Sequence, residues 1–488
     1  MQPPESPPLP GSLAALRARH GPRHRWLLLA AVMVGTMASV MSSTVINVGI
    51  PGLSAHFAVG QAQAQWVTSG FMVAMTVSML TTPWLLMRFG YRAVYVGTML
   101  LLLVGGLLGG LASQFTWVLV ARVAEGLAAG VVQPIPAIII MRAFEPHEQA
   151  RASGFFGTGV VLAPALGPSL GGLLVDFFGW RSLFFMVVPF CLLAIWMAYR
   201  YVPSTAPGGV QPDSDGDALD WRGLALASTS TLALLNGLVH LHEGVSVASV
   251  GLLGFALACL LLFVFWQKRL AARGEVGLMN LALFDVRSFA MGSLVSAIYG
   301  AALFGSTYLL PVYMQSALKL APSLVGAILL PAGLVLAVVI AIVGRLADKV
   351  PGYLLVTVGL ALLASSFVSM DLVEPLSPLW LLVALSILGR VGLGFILPSL
   401  NIGAMRGLPK PMIAQGASVI NFVRTLGGAA GVSLCGIALE WRLQGHGDRL
   451  SNPVTTQARL DAFGEVFWML GLTCALAILA SWKLREPS

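Results

Sequence analysis

Residues Gly159–Gly172 read GVVLAPALGPSLGG, with no charged side chain. Gly159, Ala163, Gly167 and Gly171 recur at every fourth position, and Pro164 and Pro168 stand between them. Small residues on one helix face let a second helix approach closely. Prolines bend a helix at depth in a bilayer, where neighbouring helices re-satisfy the freed backbone. The stretch therefore reads as one crossing of a packed membrane bundle.

The rest of the chain agrees. Of 488 residues, 57% are hydrophobic and 10% charged, against about 25% charged in an ordinary soluble domain. A crossing of about 30 Å of hydrocarbon needs roughly 20 mainly apolar residues. Fourteen such runs begin near Trp26, Gln65, Ala93, Thr116, Ala152, Arg181, Trp221, Val247, Arg287, Pro322, Gly352, Pro378, Gln415 and Asp461. Polarity does not alternate along them, so they are not strands of a membrane barrel. Little chain is left for an aqueous domain.

Lysine and arginine fall mainly on one side. With the N-terminus inside, twenty of the 28 lie in cytoplasmic segments, five in outer loops, and Arg122, Arg390 and Arg424 within spans. This bias predicts both termini in the cytoplasm and accounts for the net charge of +8 without nucleic acid as a partner. The first apolar run is too long for a secretory signal and lacks a small-residue cleavage site. Cys191, Cys259, Cys435 and Cys474 all sit in apolar runs and read as small hydrophobes.

Two segments recur at similar offsets. PWLLMRFGYR (Pro83–Arg92) and GRLADKVPG (Gly344–Gly352) each end a span on the cytoplasmic side, and RVAEG (Arg122–Gly126) is echoed by RVGLG (Arg390–Gly394). Repeated halves related by an axis along the membrane normal mark a large transporter architecture. The expected fold is an all-α membrane protein of fourteen transmembrane helices, two six-helix pseudo-repeat bundles with two inserted helices. The expected segments are a tail at 1–25, a first bundle at 26–202, linkers and the inserted pair at 203–286, and a second bundle at 287–488.

Within the linker segment PGGVQPDSDGDALD, DSDGD from Asp213 resembles the start of a calcium loop, but Ala218 and Leu224 occupy the places of the required glycine and glutamate. It reads as a solvated linker, with Asp220 capping the seventh span. HLHE, containing His240, His242 and Glu243, has no further ligands near it and reads as a loop. The phosphate loop GxxxxGK[ST] is absent, which excludes ATP-driven transport by this chain alone. Nothing calls for a cofactor or a resident metal.

Charge inside a bilayer marks function by default. Nineteen of the twenty acids map to termini, loops or helix ends, and only Glu125 lies deep, roughly 15 Å into its span at 1.5 Å per residue. Arg122 is three residues away and shares its helix face. Desolvation and a neighbouring cation act on a carboxyl in opposite senses, so such a group can exchange a proton when its surroundings change. Glu125 either carries a proton or only neutralises Arg122. Met33, Met37 and Met41 form a stripe in the first span beside Thr36, Ser39, Ser43 and Asn47, and Met72, Met75 and Met79 follow in the second. Thioethers beside a polar stripe suit an amphiphilic cavity.

In these motifs the chain resembles the major facilitator superfamily, and within it the fourteen-span drug:proton antiporters of the EmrB/QacA type. The resemblance rests on Gly159, Pro164, Gly167, Pro168, Gly171 and Gly172 in the fifth span, and on Arg122, Gly126 and Gly130 in the fourth. STVINVGIP (Ser43–Pro51), WRSLFFMVVP (Trp180–Pro189) and NFVRTLGG (Asn421–Gly428) extend it. It implies a conformational role for the fifth-span motif and for Arg88, Gly90, Arg92 and Asp348, and a proton-coupled exporter of amphiphilic small molecules in the cytoplasmic membrane. In double-membraned bacteria it also implies a periplasmic adaptor and an outer-membrane channel.

Three departures stand out. Ser42 replaces a common aspartate of the first span, Glu125 replaces a common glutamine of the fourth, and Met87 replaces the acid of the first cytoplasmic motif. The first two suggest that the intramembrane acid has moved from span one to span four. Arg122 and Glu125 are the expected proton-coupling pair; Ser42, Met41, Asn47, Met37, Arg390, Asn421 and Arg424 are the expected cavity residues. Three arginines against one acid leave the spans positive, which favours neutral or anionic substrates. The alternative is a lipid, siderophore or other metabolite exporter or facilitator without proton coupling. A membrane-embedded enzyme or sensor would need a catalytic constellation or signalling domain that is not there.

Overall fold

A computed structural model describes residues 11–21, 23–213, 218–242, 244–347, 349–448 and 456–484. Asp348, Glu243 and residues 214–217 of the linker, named above, lie outside the described residues. The regular secondary structure of the described residues is all helical. In order, the helices are α1 (Leu13–His20), α2 (His24–Phe57), α3 (Gln61–Ser78), α4 (Thr82–Leu111), α5 (Phe115–Val132), α6 (Ile135–Ala143), α7 (Gln149–Phe178), α8 (Ser182–Phe185) and α9 (Val187–Tyr201). They continue as α10 (Trp221–His242), α11 (Val247–Ala272), α12 (Arg287–Ser316), α13 (Pro322–Leu346), α14 (Gly352–Met370), α15 (Leu379–Met405), α16 (Ile413–Gly445) and α17 (Gln457–Trp482).

Twelve segments among the described residues are long and apolar enough to cross a membrane. Two of the fourteen expected runs are not separate members of that set. The second and third join into Trp66–Leu111, 46 residues long, and α7, which carries the glycine–proline stretch, is not among the twelve. The long segment is not one straight rod, because Gly90 inside α4 has φ 77° and ψ 167°. Positive φ is strained for a residue with a side chain, and a Cβ here would also run into the Ser204 carbonyl. Gly90 thus ends one helix and starts the next.

The chain divides into two compact units. One comprises Met1–Ala152, Leu166–Asp220 and Pro409–Ser418, the other Ser153–Ala165, Trp221–Leu408 and Val419–Ser488. In the first, α5 packs against α3, α4 and α2, while α9 packs against α2 and α4. In the second, α15 packs against α12, α13 and α14, and α17 against α12 and α14. A continuous apolar core there includes Leu309, Leu360, Ile396, Phe463 and Phe467. Helices α10 and α11 pack on each other. Leu257, Leu260, Leu261, Leu262 and Phe265 stay exposed on α11, as expected of a helix that turns apolar side chains to lipid.

The N-terminal segment, expected to be a plain tail, contains α1. Ser12 starts it, its hydroxyl accepting from the Ala15 amide at 3.2 Å. Arg17 then donates to the Ala143 carbonyl at 2.7 Å, and Leu16 is buried.

Candidate functional site

The RVAEGLAAG stretch lies on α5, and its glycines explain how α5 is held. A Cβ on Gly126 would lie 2.9 Å from that of Ala74 and against the Phe71 carbonyl. One turn on, a Cβ at Gly130 would meet the Met75 carbonyl and the Ser78 hydroxyl. Both positions therefore let α3 approach backbone to backbone. Met75 and Met79 are buried there with Phe71 and Ala129, so they fill the helix contact and do not line open space.

Glu125 faces α4, where a second pair of glycines makes room for it. A Cβ on Gly105 would sit 2.6 Å from Glu125 Cγ and 3.2 Å from the Ala121 carbonyl, and one on Gly106 would sit 3.7 Å from Glu125 Oε1. The carboxylate is thus laid against bare backbone. Only 1% of its side chain is exposed, and the same holds for Arg122.

Arg122 ties three helices to this carboxylate. Its Nη1 donates to Glu125 Oε2 at 2.5 Å, to Ser42 Oγ at 2.9 Å and to the Ser42 carbonyl at 3.3 Å. Nε donates to the Val67 carbonyl at 3.0 Å. The guanidinium carbon lies 4.2 Å from the centroid of the Phe71 ring, a favourable cation–π distance. Nη2 is buried without a hydrogen-bond partner. Ser42 completes the cluster, its hydroxyl donating to Glu125 Oε2 at 3.2 Å. One hydroxyl on α2 accepts from the arginine and donates to the glutamate. The first-span position that departs from the resemblance and the fourth-span position that carries the acid are therefore in direct contact.

Removing one member of a buried pair leaves an uncompensated charge, costing roughly 3–5 kcal/mol. A proton on Glu125 would leave Arg122 in that condition, with only neutral groups and the Phe71 ring around it. Phe71, the Val67 carbonyl, Gly105 and Gly106 belong to this site and had no mark in the chain apart from the glycine pair itself.

The other expected residues are more dispersed. Met41 is buried, Met37 half-buried and Asn47 exposed; Asn47 Oδ1 accepts from Thr68 Oγ1 at 2.9 Å. On α7, a Cβ at Gly171 would lie 2.7 Å from Val45 Cγ1, whereas Gly172 faces open space. Gly159, Pro164, Gly167 and Pro168 lie on the same unbroken helix. Arg390, Asn421 and Arg424 belong to the second unit. There Arg390 Nη2 donates to Thr307 Oγ1 at 3.4 Å, and Arg424 Nη2 donates to Asn421 Oδ1.

Around Gly90 the linker forms a backbone strap. The Tyr91 amide donates to the Thr205 carbonyl at 3.1 Å, the Arg92 amide to Pro203 at 3.0 Å, and the Asp213 amide to Met87 at 3.1 Å. Arg92 Nε adds a bond to the Val202 carbonyl at 2.9 Å, and Arg88 stacks on Trp84 at 5.3 Å. A second buried ion pair stands elsewhere in the chain: Arg459 grips Asp448 with Nε at 3.1 Å and Nη2 at 3.2 Å. Both side chains are almost fully buried, although Arg459 reads as a loop cation in the sequence.

Known proteins agree with this architecture. Over 94% of this chain, it is 24% identical to the riboflavin transporter RibZ of Clostridioides difficile, covering 97% of that protein. It is 28% identical, again over 94% of its length, to the multidrug export protein EmrB of Haemophilus influenzae, covering 96% of it. Among solved structures, the proton:xylose symporter XylE superposes with a TM-score of 0.67 at 12% identity, covering 94% of this chain and 95% of the symporter. The human organic anion transporter MFSD10 gives 0.66 at 14%, covering 94% and 99%. At these identities the structures speak to fold alone. The profile of the Major Facilitator Superfamily matches residues 32–432, and the chain, a multi-pass all-α membrane protein, belongs to that superfamily of non-catalytic transporters.

Proposed function

We propose that the protein is a proton-coupled exporter of amphiphilic small molecules, working by alternating access, with Glu125 as the proton-carrying group. The observation that carries this reading is the Glu125–Arg122–Ser42 cluster, a buried acid with a cation and a hydroxyl at 2.5 Å and 3.2 Å. When Glu125 is ionised it neutralises Arg122 and ties α5 to α2 through Ser42. When it takes up a proton, the arginine loses its counter-charge and the tie weakens. A transporter that exposes the carboxyl to each side in turn can use that difference to drive one conformation after another.

Fourteen crossings suit the helix lengths. At 1.5 Å per residue, Trp66–Leu111 holds about 69 Å of helix on the two sides of Gly90, more than twice the roughly 30 Å of hydrocarbon, and α7 about 45 Å. The lysine and arginine bias supports termini in the cytoplasm and a place in the cytoplasmic membrane. The similarity to a multidrug export protein over nearly the whole chain supports drug-like cargo and the EmrB/QacA type. A periplasmic adaptor and an outer-membrane channel rest on the resemblance alone and would be sought by co-purification.

The similarity to a riboflavin transporter over 97% of that relative favours a second reading, a metabolite carrier in which Glu125 only balances Arg122. Efflux of cationic, neutral and anionic compounds from proteoliposomes, with and without a proton uncoupler, separates the two. Flux by the wild-type protein that ignores the uncoupler would overturn proton coupling. Glu125→Gln transporting at the wild-type rate under a proton gradient would remove Glu125 from the mechanism. Restored coupling on adding Ser42→Asp to Glu125→Gln would support the exchange of positions.

A further inference from the structure

We infer that the second unit carries a binding site for an organic anion, built from Arg390, Arg424 and the Tyr299–Thr307 face of α12. This deepens the exporter reading by naming the charge of its cargo, and it rests on that reading. RVGLG on α15 repeats RVAEG on α5, but Leu393 stands where Glu125 stands in the first copy. Leu393 is buried. The arginine of the second copy therefore has no carboxylate on its own helix turn.

Arg424 on α16 is in the same condition. Among the described residues, neither guanidinium forms an ion pair. The partners of both are neutral, Thr307 Oγ1 for Arg390 at 3.4 Å and Asn421 Oδ1 for Arg424. The first bond is long, and Thr307 spends its own proton on the Leu303 carbonyl at 2.7 Å. A guanidinium offers five N–H donors, so most of these are unspent. Both cations lie against α12, Arg390 through its bond to Thr307 and Arg424 beside the turn that carries the buried Tyr299. Its neighbour Gly300 abuts the Arg424 carbonyl, where a Cβ would clash, and α12 also packs on α15.

Both arginines are only half-buried. A guanidinium turned to acyl chains is costly, so intramembrane arginines face a protein interior or an aqueous cavity. Two half-buried cations beside one helix, without a carboxylate partner among the described residues and with forked donors suited to a carboxylate, select an anion and repel a cation. In the first unit the equivalent arginine is sealed against Glu125; here its counterpart is left open for a ligand. The cargo is then an apolar molecule with one carboxylate head.

The test uses the purified full-length chain in nanodiscs and three tritiated probes with one apolar body: 2-naphthoate, 2-naphthamide and trimethyl(2-naphthyl)ammonium. Scintillation proximity should show naphthoate bound most tightly. Arg390→Gln and Arg424→Gln should each weaken it about tenfold or more, the expected loss for a hydrogen bond to a charged group, with little effect on the amide. Arg424→Glu should reverse the preference toward the ammonium probe, a gain that a misfolded variant cannot produce. Equal binding of all three probes, or unchanged naphthoate binding in the double Arg390→Gln, Arg424→Gln variant, would overturn the inference. Proton coupling is read separately, from the uncoupler sensitivity of wild-type efflux. Charge preference without coupling leaves this site standing and removes the proton-driven reading; coupled efflux of cations with no naphthoate binding does the reverse.

Discussion

Replacing Gly105 by alanine should damage the protein out of proportion to one methyl group. The new Cβ would lie 2.6 Å from Glu125 Cγ, 3.2 Å from the Ala121 carbonyl and 3.4 Å from the Glu125 amide nitrogen. Two of these are backbone atoms of α5. The third belongs to a side chain pinned by Arg122 and Ser42, so none can move aside freely. Overpacking of this kind costs typically about 1–3 kcal/mol. Gly97 on the same helix supplies the control, because a Cβ there meets nothing within 4 Å. Both substitutions gain the same helix propensity, about 0.8–1 kcal/mol, which cancels in the comparison. Gly105→Ala should therefore be about 1–3 kcal/mol less stable than Gly97→Ala when unfolded reversibly in mixed micelles. Proton-driven efflux should fall in Gly105→Ala alone. Equal stability and equal transport in the two variants would refute the placement of Glu125 against α4.

Three further outcomes follow from other contacts. Gly90→Ala combines a φ of 77° with a clash at the Ser204 carbonyl. It should lower stability by more than the roughly 1 kcal/mol of a left-handed conformation alone, and limited proteolysis should then cut the 203–213 linker faster. Arg459→Met removes the guanidinium that grips both oxygens of the buried Asp448, at a cost of about 3–5 kcal/mol. Adding Asp448→Leu should recover much of that loss in thermal denaturation, whereas strictly additive losses would argue against the pair. Ser42→Ala deletes the hydroxyl shared by Arg122 and Glu125, and such bonds in membrane bundles contribute about 0.6–1.7 kcal/mol. Its effect should shrink in the Glu125→Gln background, where the bond from Arg122 to the hydroxyl remains but the charged acceptor is lost.

Glu125 is legible from the chain alone, because a lone acid well inside an apolar run is visible by counting. Arg122 is legible as its partner by helix periodicity. The contact with Ser42 is suggested only by the paired departures from a resemblance. The two residues stand 83 positions apart, and no local pattern links them. Phe71, Val67 and Gly105 escape for the same reason: an arginine finds a ring and a carbonyl on α3 through tertiary packing, and membrane helices signal their neighbours only by small residues. The glycine pair at 105 and 106 is such a signal, though it does not say which side chain fills the space. The strap over Gly90 consists largely of backbone hydrogen bonds, which leave no side-chain signature. Helix α1 is short and lies in a segment rich in arginine and proline, where Ser12 as a capping residue is the single cue. The second and third runs are separated by one dihedral angle at Gly90, with helix on both sides of it, so the sequence shows two runs but not how short the break between them is.

The role of Glu125 is tested most directly by proton uptake during substrate efflux, read with an internal pH dye in proteoliposomes holding the full-length protein. Substrate-dependent proton movement is expected in the wild type, a reduced rate in Glu125→Asp, and none above protein-free liposomes in Glu125→Gln. Substrate-dependent proton movement at the wild-type rate in Glu125→Gln would contradict it.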